Sequence, residues 1–172
     1  GAEAEVEVFV ETAEPPLTRD VTLSLGEATH TATEAFRVRP WIGAPIGCAG
    51  ADEAGPLGSG QYEGLSSLGG DDTIPPHECA DWPVAPEGFY RVDLGPSETL
   101  RATVTMPERD AIVYLVDACD HPLLSCIDQG GAGEPEYIQW TGPAEPSTVY
   151  LVVDGYDYTD HGVFFLDLEV AP

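Results

Sequence analysis

Apolar and polar residues alternate with a period of two along most of this chain, and Gly or Pro follows most of the runs. This pattern limits the fold more than any other feature. A period of two puts successive side chains on opposite faces of a strand, whereas a helix needs apolar residues three and four apart. Ala4, Val6, Val8 and Val10 alternate with Glu5, Glu7, Phe9 and Glu11, and Pro15-Pro16 closes the run. Val21, Leu23 and Leu25 form a second run, and Tyr90, Val92 and Leu94 another. Leu100, Ala102, Val104 and Met106 alternate up to Pro107. Residues 112–116 are apolar throughout, which predicts a strand buried on both faces. Ile138 and Trp140 follow a Gly-rich loop. Val149, Leu151 and Val153 alternate with Tyr150 and Val152 on the other face. Phe164, Leu166, Leu168 and Val170 close the chain, with Asp167 and Glu169 facing out. No window of helical length shows an apolar stripe. Short strands with 19 Gly and 16 Pro between them predict an all-β fold, an antiparallel β-sandwich of jelly-roll-like form.

Between Ile42 and Val84 the alternation gives way to loop composition, including Gly58-Ser59-Gly60 and Gly69-Gly70-Asp71-Asp72. A loop that long is functional or stapled. The four cysteines allow three pairings. The favoured one joins Cys119 to Cys126 across a short loop and Cys48 to Cys79 across the long one, the latter worth roughly 3–4 kcal/mol by chain entropy. An even count without a CxxC motif points to an oxidising compartment. A zinc site from His77, Cys79 and Cys48 lacks the ligand spacing of structural zinc. The expected division is an N-terminal strand segment over 1–46, serving as an edge or donated strand, and a sandwich over 47–172.

The 172 residues carry 31 Asp and Glu against 6 Arg, with no Lys, for a formal charge of −25. No basic surface is present to neutralise phosphates, so nucleic-acid binding is not expected. An anionic membrane would repel the chain, and its longest apolar run is too short to insert. The chain starts at Gly1 with no leader pattern, which reads as a mature or trimmed product.

The order of segments from about Gly88 to Val170 resembles the bacterial pre-peptidase C-terminal domain family. The residues that carry the resemblance are 89–94 (FYRVDL), 98–100 (ETL), Asp110 with 113–117 (VYLVD), 136–140 (EYIQW) and 148–156 (TVYLVVDGY). The final strand follows from Gly162 to Val170. The resemblance implies a small non-catalytic β-sandwich of exported bacterial proteins, secreted or at the cell surface, with relatives that bind calcium and attach enzymes to insoluble substrates. The partners it implies are an extracellular protein or polysaccharide. Copies of the chain itself are a further candidate, because the strand at 4–11 could add to a neighbour's sheet edge and build a filament.

Calcium is the strongest site expectation, since hard cations take several oxygen ligands from acid-rich loops. Three ligand groups are candidates: Asp154, Asp157 and Asp160 in the loop before the last strand; Asp71 with Asp72; and Asp110 with Asp117, flanking residues 112–116. None fits an EF-hand. Residues 130–135 (GGAGEP) match half of one calcium repeat of the RTX kind, with Pro at the Asp position, and are set aside. Tyr156 and Tyr158 sit in a loop and are the candidate binding aromatics. No GxSxG, HExxH or Walker motif is present. The reading is therefore of a chain that is not an enzyme, with a small secreted hydrolase as the remaining alternative.

Overall fold

The computed structural model describes residues 18–25, 28–37, 39–66, 85–119 and 122–172. The chain divides into two compact units at Pro40 and Trp41. In the first, β1 (Thr18–Leu25) and β2 (Ala28–Arg37) form an antiparallel hairpin, its register shifted between Arg19 and Val21. β1 coincides with the run at Val21, Leu23 and Leu25. The strand expected at 4–11 lies outside the described residues.

The second unit is an antiparallel β-sandwich. Its strands are β3 (Trp41–Ile42), β4 (Gly60–Leu65), β5 (Gly88–Leu94), β6 (Thr99–Thr105), β7 (Ala111–Val116), β8 (Ser125–Ile127), β9 (Pro135–Thr141), β10 (Ser147–Gly155) and β11 (Val163–Ala171). One sheet runs β5-β10-β7-β8 and the other β3-β4-β11-β6-β9; the short β3–β4 pair is parallel and every other pair antiparallel. Consecutive strands β5, β6 and β7 alternate between the sheets, as in a jelly roll. Trp41 and Ile42 pair with Glu63 and Gly64, so this unit begins before the expected boundary at residue 47.

The alternation read from the sequence builds the core. Val92, Val149, Leu151, Val113 and Leu115 of the first sheet face Leu100, Val104, Ile138, Phe164 and Leu166 of the second, all fully buried. Tyr90 meets the Phe164 ring edge-on at 5.7 Å between centroids. Each such side chain contributes about 1.5–3 kcal/mol on leaving water. Trp140 packs half-buried against this core. The second apolar face of the first sheet is buried too, through Phe89, Ile112, Tyr114, Val116 and Val152. This accounts for the unbroken apolar run at 112–116.

What covers that second face was not legible. The segment expected to be mostly loop contains β3, β4 and a short helix, α1 (Gly47–Ala54), which ends at Gly55 with φ +83°. Its apolar contacts with the sheet are Cys48 and Ala51, three apart, while Asp52 accepts from the Tyr150 hydroxyl at 3.0 Å and pairs with Arg91. A stripe of two residues is too short to register as helical periodicity. Cys48 is bonded to Cys119 just beyond β7, with Cα atoms 5.8 Å apart. This corrects both expected pairings. Cys48 is not joined to Cys79, nor Cys119 to Cys126, because the helix carries Cys48 over the sheet to the end of β7. Cys126 is also disulfide-bonded, and Cys79 lies outside the described residues.

Candidate metal centre

Three connections converge at one end of the sandwich. They are the β6–β7 turn, the β8–β9 loop and the β10–β11 loop. The Gly133 N–H donates to the Arg109 carbonyl at 2.9 Å, and the Tyr156 N–H to the Asp110 carbonyl at 3.1 Å. The turn holds Asp110 at the entry to β7 and the loop holds Asp128 at the exit from β8. β9 alternates exposed and buried residues, and its first inward position is Glu136, 1% exposed. An acid on the apolar register of a strand must be held by donors. The Gln129 N–H lies 3.2 and 3.1 Å from its two oxygens, and the Gly130 N–H is 2.5 Å from Oε1. A Cβ at Gly130 would stand 2.7 Å from that same oxygen, so glycine permits the close approach.

Asp110, Asp128 and Glu136 each offer a carboxylate oxygen, and these atoms all lie within 4.8 Å of one another. Asp110 Oδ1 is buried and has no hydrogen-bond partner among the described residues. Burial raises the Asp110 pKa above the usual carboxylate range, and the charges of Asp128, Asp160, Glu136 and Glu134 add to the shift. Burial raises Asp128 as well, with Glu136 adding. The described ion pairs, Arg91 with Asp93 and Asp52 and Arg101 with Glu169, involve none of the three. Oxygen-only donors without His or Cys suit calcium or magnesium and not zinc or copper.

Protons compete with a cation here, and the sign can be worked out. Both carboxyls are raised in the folded chain, so folding favours their protonated forms. That contribution is complete below the unfolded value of about 3.9 and is lost as pH rises through the folded values. Asp93 and Asp157 are lowered instead, by hydrogen bonds from Arg91 and Thr159, and their contribution is lost only as pH falls below the unfolded value. Metal-free protein should therefore gain stability as pH falls from neutral towards the unfolded carboxylate value of about 3.9, compared at one pH near each end. Asp110→Asn should flatten that gain, as urea midpoints at the two pH values would show. Parallel slopes in the two proteins would count against the cluster.

The structure sorts the acids picked from the sequence differently. Asp110 belongs to this cluster, and Asp160 approaches it closely enough to act on its charge. Asp117 does not join Asp110, because β7 separates them by its six residues, about 20 Å of strand. Asp154 does not share a site with Asp157 and Asp160. It is fully buried on the second face of its sheet, where the Tyr114 hydroxyl bonds it and also contacts Glu87 at 3.3 Å. Burial, then the charges of Asp154 and Glu87, push the Tyr114 hydroxyl well above its ordinary pKa. Asp157 accepts hydrogen bonds from the Thr159 amide and hydroxyl at 2.7 and 2.6 Å within its own loop. Asp71 and Asp72 lie outside the described residues. Tyr156 and Tyr158 stand on the β10–β11 loop beside the cluster, 37% and 72% exposed. Asp128 and Glu136 were missed. The usable signal was the spacing of Glu136, Ile138 and Trp140, which puts an acid in register with the core.

No family model matches the sequence, and no curated protein matches it. Among solved structures, the chain is similar to the pre-peptidase C-terminal domain of a collagenase from Bacillus anthracis. The identity is 13%, the match covers 77% of this chain and 95% of that one, and the TM-score is 0.45. That is the family whose segment order the sequence resembles.

Proposed function

We propose that this chain is a non-catalytic, secreted or surface-attached bacterial module that binds an extracellular protein or polysaccharide and is stabilised by calcium. One observation carries the reading: three carboxylates converge at the end of the sandwich, one with a buried oxygen that no donor among the described residues satisfies. A buried acceptor left unmatched costs about 1–3 kcal/mol, and a cation beside it removes that cost. Asp110, Asp128 and Glu136 would hold the ion. Calcium supplies charge neutralisation that three loops need in order to stay together. Glu136 is anchored by backbone amides and sealed from solvent, which suits a ligand to a structural ion better than a group that reaches a substrate. The disulfides fit a chain that works in an oxidising compartment.

The loop tied to Asp110 through the Tyr156 amide presents Tyr156 and Tyr158 to solvent. Exposed tyrosines stack on sugar rings or anchor protein partners. The test is co-sedimentation of the full chain with insoluble polysaccharides and with insoluble extracellular protein fibres, in calcium and in chelator. Retention in calcium should fall about ten-fold on Tyr156→Ala with Tyr158→Ala, a loss of about 1.4 kcal/mol. Equal retention of the double variant, or turnover of the insoluble material, would contradict the reading.

A further inference from the structure

In the second unit, β5 is the edge strand of its sheet, paired with β10 alone. The segment before it meets this edge at two points. The Phe89 N–H donates to the Pro45 carbonyl at 3.1 Å, and the Leu57 N–H to the Arg91 carbonyl at 2.8 Å. In a strand the N–H and C=O of one residue point to the same side. The Phe89 carbonyl and the Arg91 N–H therefore face this edge too. Pro45, opposite Phe89, has no N–H to return. Neither group has a partner among the described residues. An acceptor and a donor thus stand on either side of Tyr90, between two bonds that close the edge. A cavity of about 210 Å³ lies here, lined by Pro45, Leu57, Phe89 and Arg91. Ala54 and Trp41 add apolar wall, and Trp41 is 53% exposed.

We infer that this cavity holds one ring of a neutral sugar, at an end or branch of an extracellular polysaccharide. The inference rests on the binding reading above and narrows its ligand. The volume falls below the roughly 300–1,000 Å³ of sites for drug-sized ligands, so it admits a single ring. A hydroxyl both donates and accepts. One sugar hydroxyl can accept from the Arg91 N–H while its neighbour on the ring donates to the Phe89 carbonyl. The C–H face of the ring then meets the apolar wall that Trp41 completes.

Other ligands fit worse. An extended peptide adding to this edge needs it on both sides of Tyr90, where Pro45 and Leu57 already sit. A peptide end brings a charge, which an apolar cavity takes only with a counter-ion. The charged groups nearby are matched to one another: Arg91 bonds Asp93 through Nε and Nη2 at 2.9 Å each, and Asp52 lies 3.6 Å from its Nη1. An acidic sugar likewise finds no spare cation, in a chain of formal charge −25.

The test is an NMR titration of the full chain with neutral hexoses, N-acetylhexosamines, the matching hexuronic acids and a peptide blocked at both ends. A neutral sugar should bind, shift the Arg91 amide and slow its hydrogen exchange. The matching uronic acid should bind about ten-fold more weakly. Ala54 is an exposed helix residue, so Ala54→Leu should fill the cavity, leave the melting temperature unchanged and cut affinity about ten-fold. Trp41→Ala should cut it about five-fold. Three results would overturn the inference: no binding of any neutral sugar, binding that leaves the Arg91 amide unmoved, and tighter binding of the blocked peptide. Retention on protein fibres without sugar binding would overturn this inference alone. Sugar binding at the Arg91 amide with no retention on any insoluble material would overturn the attachment reading and leave this site standing.

Discussion

Replacing both Cys48 and Cys119 by Ser should destabilise the protein by about 4 kcal/mol on the chain-entropy model. The bond spans 71 residues of sequence, and its removal frees all of that loop in the unfolded chain. The native state loses as well. Apart from the polar contacts of Asp52 with Tyr150 and Arg91, α1 meets the sheet through two small residues, Cys48 and the fully buried Ala51. Without the bond, little apolar area holds the helix over Phe89, Ile112 and Val116. For a chain of this size the melting temperature should fall by about 10 °C. The double variant avoids leaving one reactive thiol to exchange with the remaining disulfide. Urea unfolding under non-reducing conditions gives the number. A loss below about 1 kcal/mol would mean that packing alone holds the helix, and that the bond is incidental to the fold.

Gly155→Ala should cost about 3 kcal/mol or more, because a side chain there meets immovable atoms. A Cβ on Gly155 would overlap the Asp160 carbonyl oxygen and lie 2.9 Å from the Asp160 Cβ. The first of these is backbone and cannot rotate away. The β10–β11 loop would have to lift off the end of β10. That movement strains the Tyr156 amide bond to the Asp110 carbonyl and moves the Asp160 charge that acts on Asp110. The variant should therefore show two defects together: a lower melting temperature and weaker calcium binding. The matching change at Gly131, where the nearest side-chain atom to a new Cβ is 4.0 Å away, should be close to neutral in packing terms. Equal stability of Gly155→Ala and Gly131→Ala would contradict the close approach.

The sandwich was legible because its strands follow the period-two rule with little exception. β6 and β11 place every second residue in the core, and the run at 112–116 marks a strand covered on both sides. The cover itself was hidden. α1 owes its place to a covalent bond and to small residues, and neither leaves a periodic trace. The disulfide pairing was misread for the same reason. Loop length favours close partners, but the helix brings Cys48 to a position remote in sequence. At the site, Asp110 was found as an acid flanking a buried strand. Asp117 was chosen by the same rule and lies at the other end of that strand, because flanking positions are close in sequence yet a full strand apart. Asp154 followed the density of acids in its segment, while strand alternation in β10 sends it to the opposite face from Val153. Glu136 needed the reverse inference, from a polar residue standing where the pattern demands an apolar one.

The most direct test is a calorimetric titration of calcium into metal-free full-length chain, beside Asp110→Asn. The wild type should bind one ion, and at about a hundred times the dissociation constant the fold should gain about 2.7 kcal/mol. Asp110→Asn should keep its fold and lose at least ten-fold in affinity. No heat of binding, with the same melting temperature in calcium and in chelator, would contradict the assignment of Asp110, Asp128 and Glu136 as a cation site.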